Sequence, residues 1–148
     1  MNKKILIISG IIIFIVIAFI LFNKQPTGEV IKNSEVIKIS LSEISENAKW
    51  YNYDSNGIKI KYFAVKADDG SVKTAFDACD VCYKSKKGYR QQGKDMVCNN
   101  CGNHYPISGL GTKNLRGGGC WPSHLESKIE GNNVGIKISD IEKGKKFF

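Results

Sequence analysis

No cysteine lies outside residues 79–120 of this 148-residue chain, and neither Cys-x2-Cys pair is followed directly by histidine. Tyr83 and Gly102 stand in those positions, which excludes covalent haem attachment. A thioredoxin-like redox pair needs a helix opening at the cysteines. After Cys82 the chain runs Tyr-Lys-Ser-Lys-Lys-Gly-Tyr, with no apolar helical stripe. Gly117-Gly118-Gly119 lacks the lysine and the following helix of a phosphate loop. Nothing reads as an acid/base couple in a substrate pocket: Asp77 and Asp80 flank cysteines and suit loop hydrogen-bond acceptors. Acidic residues are scarce, 14 against 22 Lys plus Arg, for a net charge of +8. That balance can serve nucleic acid or an anionic membrane. Here the lysines interleave along strand-like segments, with a modest cluster at Lys84, Lys86, Lys87, Arg90 and Lys94. This is the pattern of a solvated face, and nucleic acid is not an expected partner.

What is present is a cysteine framework. Cys79-x2-Cys82 and Cys98-x2-Cys101 are separated by fifteen residues, and Gly117-Gly118-Gly119-Cys120-Trp121-Pro122 follows. Two such pairs at this separation build four-thiolate metal sites, because each tight turn aims two sulfurs at one ion. The competing reading is two disulfides and a free thiol outside the cytoplasm. Disulfides within Cys-x2-Cys close tiny loops and stabilise little, so metal binding by Cys79, Cys82, Cys98 and Cys101 is preferred. Cys120 and His104 are possible additional ligands. Cys120 and His124, four residues apart, fit a packed cysteine beside a surface histidine better than a catalytic pair. Zinc and iron suit the four sulfurs almost equally. Gly102 lets the backbone turn so that amides point at sulfur, a device both metals use.

Residues 5–22 are apolar apart from Ser9 and Gly10. At a helical rise this stretch spans about 27 Å, nearly the hydrocarbon thickness of a bilayer. Asn23-Lys24-Gln25-Pro26 offers no small-x-small cleavage site, and no lipid-accepting cysteine lies nearby. An uncleaved anchor over residues 1–24 is therefore expected rather than a signal peptide. Lys3 and Lys4 outweigh Lys24, which puts the amino end in the cytoplasm and the rest outside.

A linker over residues 25–34 leads to a β-rich domain over 35–142. Residues 37–41 alternate as a strand, and Ser42-Glu43 can open a helical turn. Residues 49–53, 58–65 and 72–76 predict a three-stranded antiparallel meander, with turns at Asn56-Gly57 and Asp69-Gly70. Ile58, Ile60, Tyr62 and Ala64 share one face and Lys59 and Lys61 the other. Residues 83–94 read as a loop or small hairpin, and Met96-Val97 as a strand. Residues 107–119 read as an ordered loop or flap, and 122–129 as two helical turns. Asn132-Asn133 turns into a last strand over 134–138, and 143–148 is a solvated basic tail. The fold class expected is mainly β: a small antiparallel sheet domain with two Cys-x2-Cys loops, preceded by one transmembrane helix.

The stretches Phe76-Asp77-Ala78-Cys79-Asp80-Val81-Cys82, Gly88-Tyr89, Met96-Val97-Cys98-Asn99-Asn100-Cys101-Gly102 and Gly118-Gly119-Cys120-Trp121-Pro122 resemble the FtrD-like membrane iron–sulfur proteins. The resemblance covers residues 62–138. It implies an iron–sulfur cluster, with single iron or zinc as alternatives, and a redox partner or iron-transport protein in the membrane. Many members carry several membrane helices before this module, and this chain has one such segment. Cys98-x2-Cys101-Gly102-x2-Tyr105 is also similar to the second ligand loop of Rieske domains, with cysteine in place of histidine. All-thiolate ligation lowers the potential, from about −150 to +300 mV in Rieske centres to about −400 mV in all-cysteine two-iron centres. The resulting expectation is an extracytoplasmic one-electron carrier linked to iron reduction or uptake, not an enzyme with its own substrate. A zinc-stabilised binding module and a metal-delivery protein are the alternatives.

Overall fold

A computed structural model describes residues 36–116 and 119–148. The expected anchor and linker, residues 1–34, lie outside the described residues. Among the described residues no helix is long and apolar enough to cross a membrane. They fall within one compact unit, Ser34–Phe148. It is mainly β: nine strands in three antiparallel sheets, ordered β1-β9-β8, β2-β3-β4 and β5-β6-β7.

The middle sheet is the expected meander: β2 (Lys49–Ser55), β3 (Ile58–Lys66) and β4 (Val72–Phe76). Asn56 and Gly57 close its first hairpin with φ of 52° and 86°, the pair of left-handed conformations that a two-residue turn requires. Opposite Ser55 stands Ile58, which fixes the register; Tyr51 then faces Tyr62 and Trp50 faces Phe63. Both pairs touch across the strands: Tyr51 and Tyr62 stack with ring centroids 5.6 Å apart, and Trp50 and Phe63 meet tilted at 5.8 Å. The second connection is wider than a two-residue turn, because Lys66 pairs with Val72 and the Ala67 amide donates to Ser71 O at 2.8 Å.

β3 is buried on both faces. Ile60, Tyr62 and Ala64 join a core with Ile39 of β1 (Val36–Ser40), Val134 and Ile136 of β9 (Asn133–Lys137), and Ile141 of the short helix α1 (Ile138–Glu142). Phe63 and Val65 project the other way, into a second core with Met96 and Cys98 of β6 (Asp95–Cys98), Tyr89 of β5 (Tyr89–Gln92) and Tyr105 of β7 (His104–Pro106). Strand periodicity of two thus makes one strand the wall between two cores. The cysteines belong to the second.

Two segments differ from expectation. Residues 122–129 are not helical. Ser123 lies along the free edge of β4, accepting from the Phe76 amide and donating to Ala78 O, both at 2.8 Å, while Thr74 Oγ1 donates to Leu125 O at 2.7 Å. Unpaired edge groups of β4 offer this segment more hydrogen bonds than an isolated helical turn would. It ends in β8 (Lys128–Glu130), which forms a hairpin with β9. The final residues are not a solvated tail. Lys143–Phe147 form a 3-10 helix, and Phe147 packs against Phe76 and Tyr83 with centroids 6.0 and 5.9 Å away. Gly144 lies so close to the Phe76 ring that an added Cβ would collide with it.

Phe147→Ala is therefore predicted to cost about 3 kcal/mol, the usual loss for a truncated core phenylalanine. Lys145→Ala should stay within about 0.5 kcal/mol. Urea unfolding of the two variants checks this, and equal midpoints would mean the carboxyl-terminal turn is not part of the core.

Candidate metal centre

Two hairpin-like turns and one loop deliver five sulfurs to one place. β4 ends at Phe76, and the chain turns through Asp80-Val81 so that the Cys82 amide donates to Cys79 Sγ at 3.1 Å. β6 ends at Cys98, and the chain reverses through Asn99-Asn100 with the Gly102 amide on Cys98 O at 2.9 Å. Gly102 has φ 76°, a conformation that side chains resist. The Asn103 amide then donates to Cys101, and this lowers the Cys101 thiol below its ordinary pKa. Asn100 Nδ2 reaches across to Cys82 Sγ at 3.4 Å, linking the two turns.

The third element carries Cys120, and sequence reading missed what holds it. Asn114 is 2% exposed; its Oδ1 accepts from the Gly111 amide and its Nδ2 donates to Pro122 O, both at 2.7 Å. A single side chain thus clamps both ends of the loop that brings Cys120 in. Trp121 packs on Tyr105 at 4.9 Å and against Gly109, where any Cβ would strike its ring at 2.6 Å. Tyr89 Oη donates to Cys120 O at 2.6 Å. The only sequence signal was an asparagine amid glycines, which reads as loop.

Cys120 Sγ sits at the middle of the group. Cys79, Cys82 and Cys101 place their sulfurs 3.3 Å from it and Cys98 at 3.4 Å. Cys82, Cys98, Cys101 and Cys120 all lie within 4.8 Å of one another, and Cys79 falls outside that tighter set. Cys79, Cys98 and Cys120 are buried, Cys82 half-buried and Cys101 exposed. None is in a disulfide.

Burial raises the Cys120 thiol far above its ordinary value, and the surrounding cysteines add to the rise. Two thiolates this close would repel by about 5 kcal/mol at an effective dielectric near 20. Five cannot ionise together unless a cation joins them. Soft sulfur donors with no carboxylate among them fit a thiophilic metal ion or an iron–sulfur group, not calcium or magnesium. A tetrahedral ion with metal–sulfur bonds of about 2.3 Å sets its sulfurs about 3.8 Å apart, which suits the tighter set.

His104 stands elsewhere: its Nδ1 pairs with Asp95 at 3.1 Å on an exposed edge. His124 bridges its backbone to Ala75, and its buried Nδ1 lacks a hydrogen-bond partner. Burial lowers its pKa, which keeps the ring neutral near pH 7. Asp77 serves as an acceptor, for the Tyr89 amide at 2.8 Å and the Trp50 indole at 3.3 Å.

Three small antiparallel sheets around a buried cluster of free cysteines define a β-rich protein with a thiolate site able to hold a metal. Residues 44–148 match the family described as membrane iron–sulfur containing protein FtrD-like, and the chain belongs to that family. None of the curated proteins matches it.

Asn114→Ala would leave the Gly111 amide and Pro122 carbonyl without their partner, for a predicted loss of about 2 kcal/mol or more. Asn114→Asp keeps the acceptor but sets a carboxylate oxygen against Pro122 O, so it should be at least as damaging. Urea unfolding together with metal content checks both. Wild-type values for Asn114→Asp would show that the clamp does not hold the loop.

Proposed function

We propose that this chain is a membrane-anchored iron–sulfur protein that carries single electrons on the extracytoplasmic side, in service of iron reduction or uptake. The observation that carries this reading is the convergence of five cysteine sulfurs in a member of an iron–sulfur family. Residues 1–24 are its anchor, 25–34 its linker and 35–142 its metal-binding domain. Its partner is a redox or iron-transport protein in the same membrane.

Cys82, Cys98 and Cys101 hold the metal group in this reading. Cys79 completes the set as the fourth paired cysteine, and Cys120 Sγ, 3.3 Å from it, can take the same position. Bound iron supplies a one-electron couple whose potential follows ligand charge, hydrogen bonds to sulfur and exposure. The protein contributes the rest. The Cys82 amide and Asn100 Nδ2 donate to sulfur and offset its negative charge. Phe63, Met96 and Leu110 exclude water from the inner side. Cys101 is exposed and offers the short path by which an electron reaches a docked partner.

Zinc is the second reading, because the compactness of Cys82, Cys98, Cys101 and Cys120 suits one ion as well as a cluster. Anaerobic purification of the full chain in detergent, with iron, zinc and sulfide analysis and an absorption spectrum, separates the two. The expected result is iron with acid-labile sulfide and visible bands that bleach on reduction. A colourless protein with stoichiometric zinc would end the electron-carrier reading.

Serine at Cys82, Cys98 or Cys101 is predicted to empty the site. Serine at Cys79 alone or Cys120 alone should leave much of the metal, because each sulfur can replace the other; the double variant should lose it. Metal analysis of the five single variants and the double reads this directly. Complete loss from either Cys79→Ser or Cys120→Ser alone would rule out the exchange.

A further inference from the structure

A cavity of about 280 Å³ opens beside the cysteine cluster. Buried Cys79 and Cys98 and half-buried Cys82 form its deep wall, and exposed Lys59, Lys61 and Lys86 line its open side. Its origin lies in β3. Lys59, Lys61, Phe63 and Val65 point to one face of that strand, where Phe63 and Val65 are fully covered and the two lysines lie beyond the cover. The gap between them and the turn of Cys79–Cys82 is the cavity.

Its charge leans positive. Among the described residues neither Lys59 nor Lys61 has an acid within ion-pair distance, whereas Lys86 Nζ is already engaged by the main-chain oxygens of Phe147 and of Phe148, the last residue. Asp77 is the one acidic side chain in the lining, and its Oδ1 accepts from the Tyr89 amide and the Trp50 indole. Burial raises its pKa, while the charge of Lys61 favours its ionised form. Lysines that only neutralised a thiolate centre would need no open volume in front of it. Here the volume exists, and Tyr83, Tyr89, Phe147 and Phe148 give it aromatic sides. It sits just below the roughly 300 Å³ at which drug-sized ligand pockets begin, which limits an occupant to one or two rings. A cationic opening, flat aromatic walls and a redox centre behind them select one chemistry.

We propose that this cavity binds a small anionic quinone-type ring, one or two rings with an acidic substituent, whose charge lies between Lys59 and Lys61. On the electron-carrier reading above, on which this part rests, the ring is the centre's small-molecule electron partner. With a redox-active metal group held by the cysteines, the ring would take up one electron to become its semiquinone, gaining one negative charge beside that of its acidic substituent. No bond forms or breaks, no proton moves, and the lysines stabilise the added charge. The cavity is a second approach to the centre, through Cys79, Cys82 and Cys98 and separate from exposed Cys101.

The test titrates 2,3-dimethyl-1,4-naphthoquinone-6-sulfonate, whose methyl groups block thiol addition to the ring, against the full chain in detergent by calorimetry. One-to-one saturable binding that weakens with salt is expected, at least tenfold tighter than for neutral 2,3-dimethyl-1,4-naphthoquinone. Lys59→Glu/Lys61→Glu alters two exposed side chains, so it should keep wild-type metal content and circular dichroism while losing at least tenfold in affinity. Absence of saturable binding, or equal affinity in that folded variant, overturns the site. Metal analysis and stopped-flow reduction keep the two readings apart. Binding to a zinc-loaded protein supports the site and ends its electron-exchange role. A redox-active iron centre with no binding ends this inference and leaves the carrier reading intact.

Discussion

Mutual repulsion among five closely packed thiols is the constraint on which this structure depends. Cysteine sulfurs 3.3–3.4 Å from a common neighbour are tolerable as neutral thiols and intolerable as anions unless a cation joins them. The raised pKa of Cys120 expresses one side of that balance. A bound metal ion expresses the other, since it deprotonates a coordinating thiol and reverses the local preference. Folding of this half of the protein and metal binding are thus coupled through the same five side chains.

The three sheets hold those side chains in register. β3 lies between two cores, so a change on its Ile60–Tyr62–Ala64 face is felt by the cysteine-bearing side through one backbone. β4, paired to β3, ends at Phe76, three residues before Cys79, and β6, packed with Phe63 in the second core, ends at Cys98 itself. Each cysteine pair is therefore anchored to a strand that borders the same core, and the Cys120 loop depends on a side-chain clamp.

Local chemistry made part of this legible in the sequence. Asn56-Gly57 can only be a tight turn, and the alternation from Ile58 to Val65 follows from it, so the meander and its faces were readable. The Cys-x2-Cys spacing likewise signalled convergence of the paired sulfurs. What could not be read depends on distant partners. Residues 122–129 have a locally helical pattern, yet they run extended because the free edge of β4 needs hydrogen bonds. Three lysines around Gly144 read as a tail, and only the room beside Phe76 shows why Phe147 folds back. The central place of Cys120 follows from Asn114, whose buried role leaves no mark on periodicity or composition.

The position of Cys120 also bears on how the site would take up a metal. Were an ion to be held by Cys79, Cys82, Cys98 and Cys101, the sulfur now in contact with all four would have to withdraw from their centre. Were it held by Cys82, Cys98, Cys101 and Cys120, the set already within 4.8 Å would need only small adjustments, and Cys79 would remain beside it. In either case one sulfur is left over, buried beside the four that would hold the ion. A fifth cysteine is costly to keep if it only fills space, since a small apolar residue would pack as well without its reactivity. Its placement makes sense if the ligand set is exchangeable, so that the centre can change one bond while the other three hold it in place.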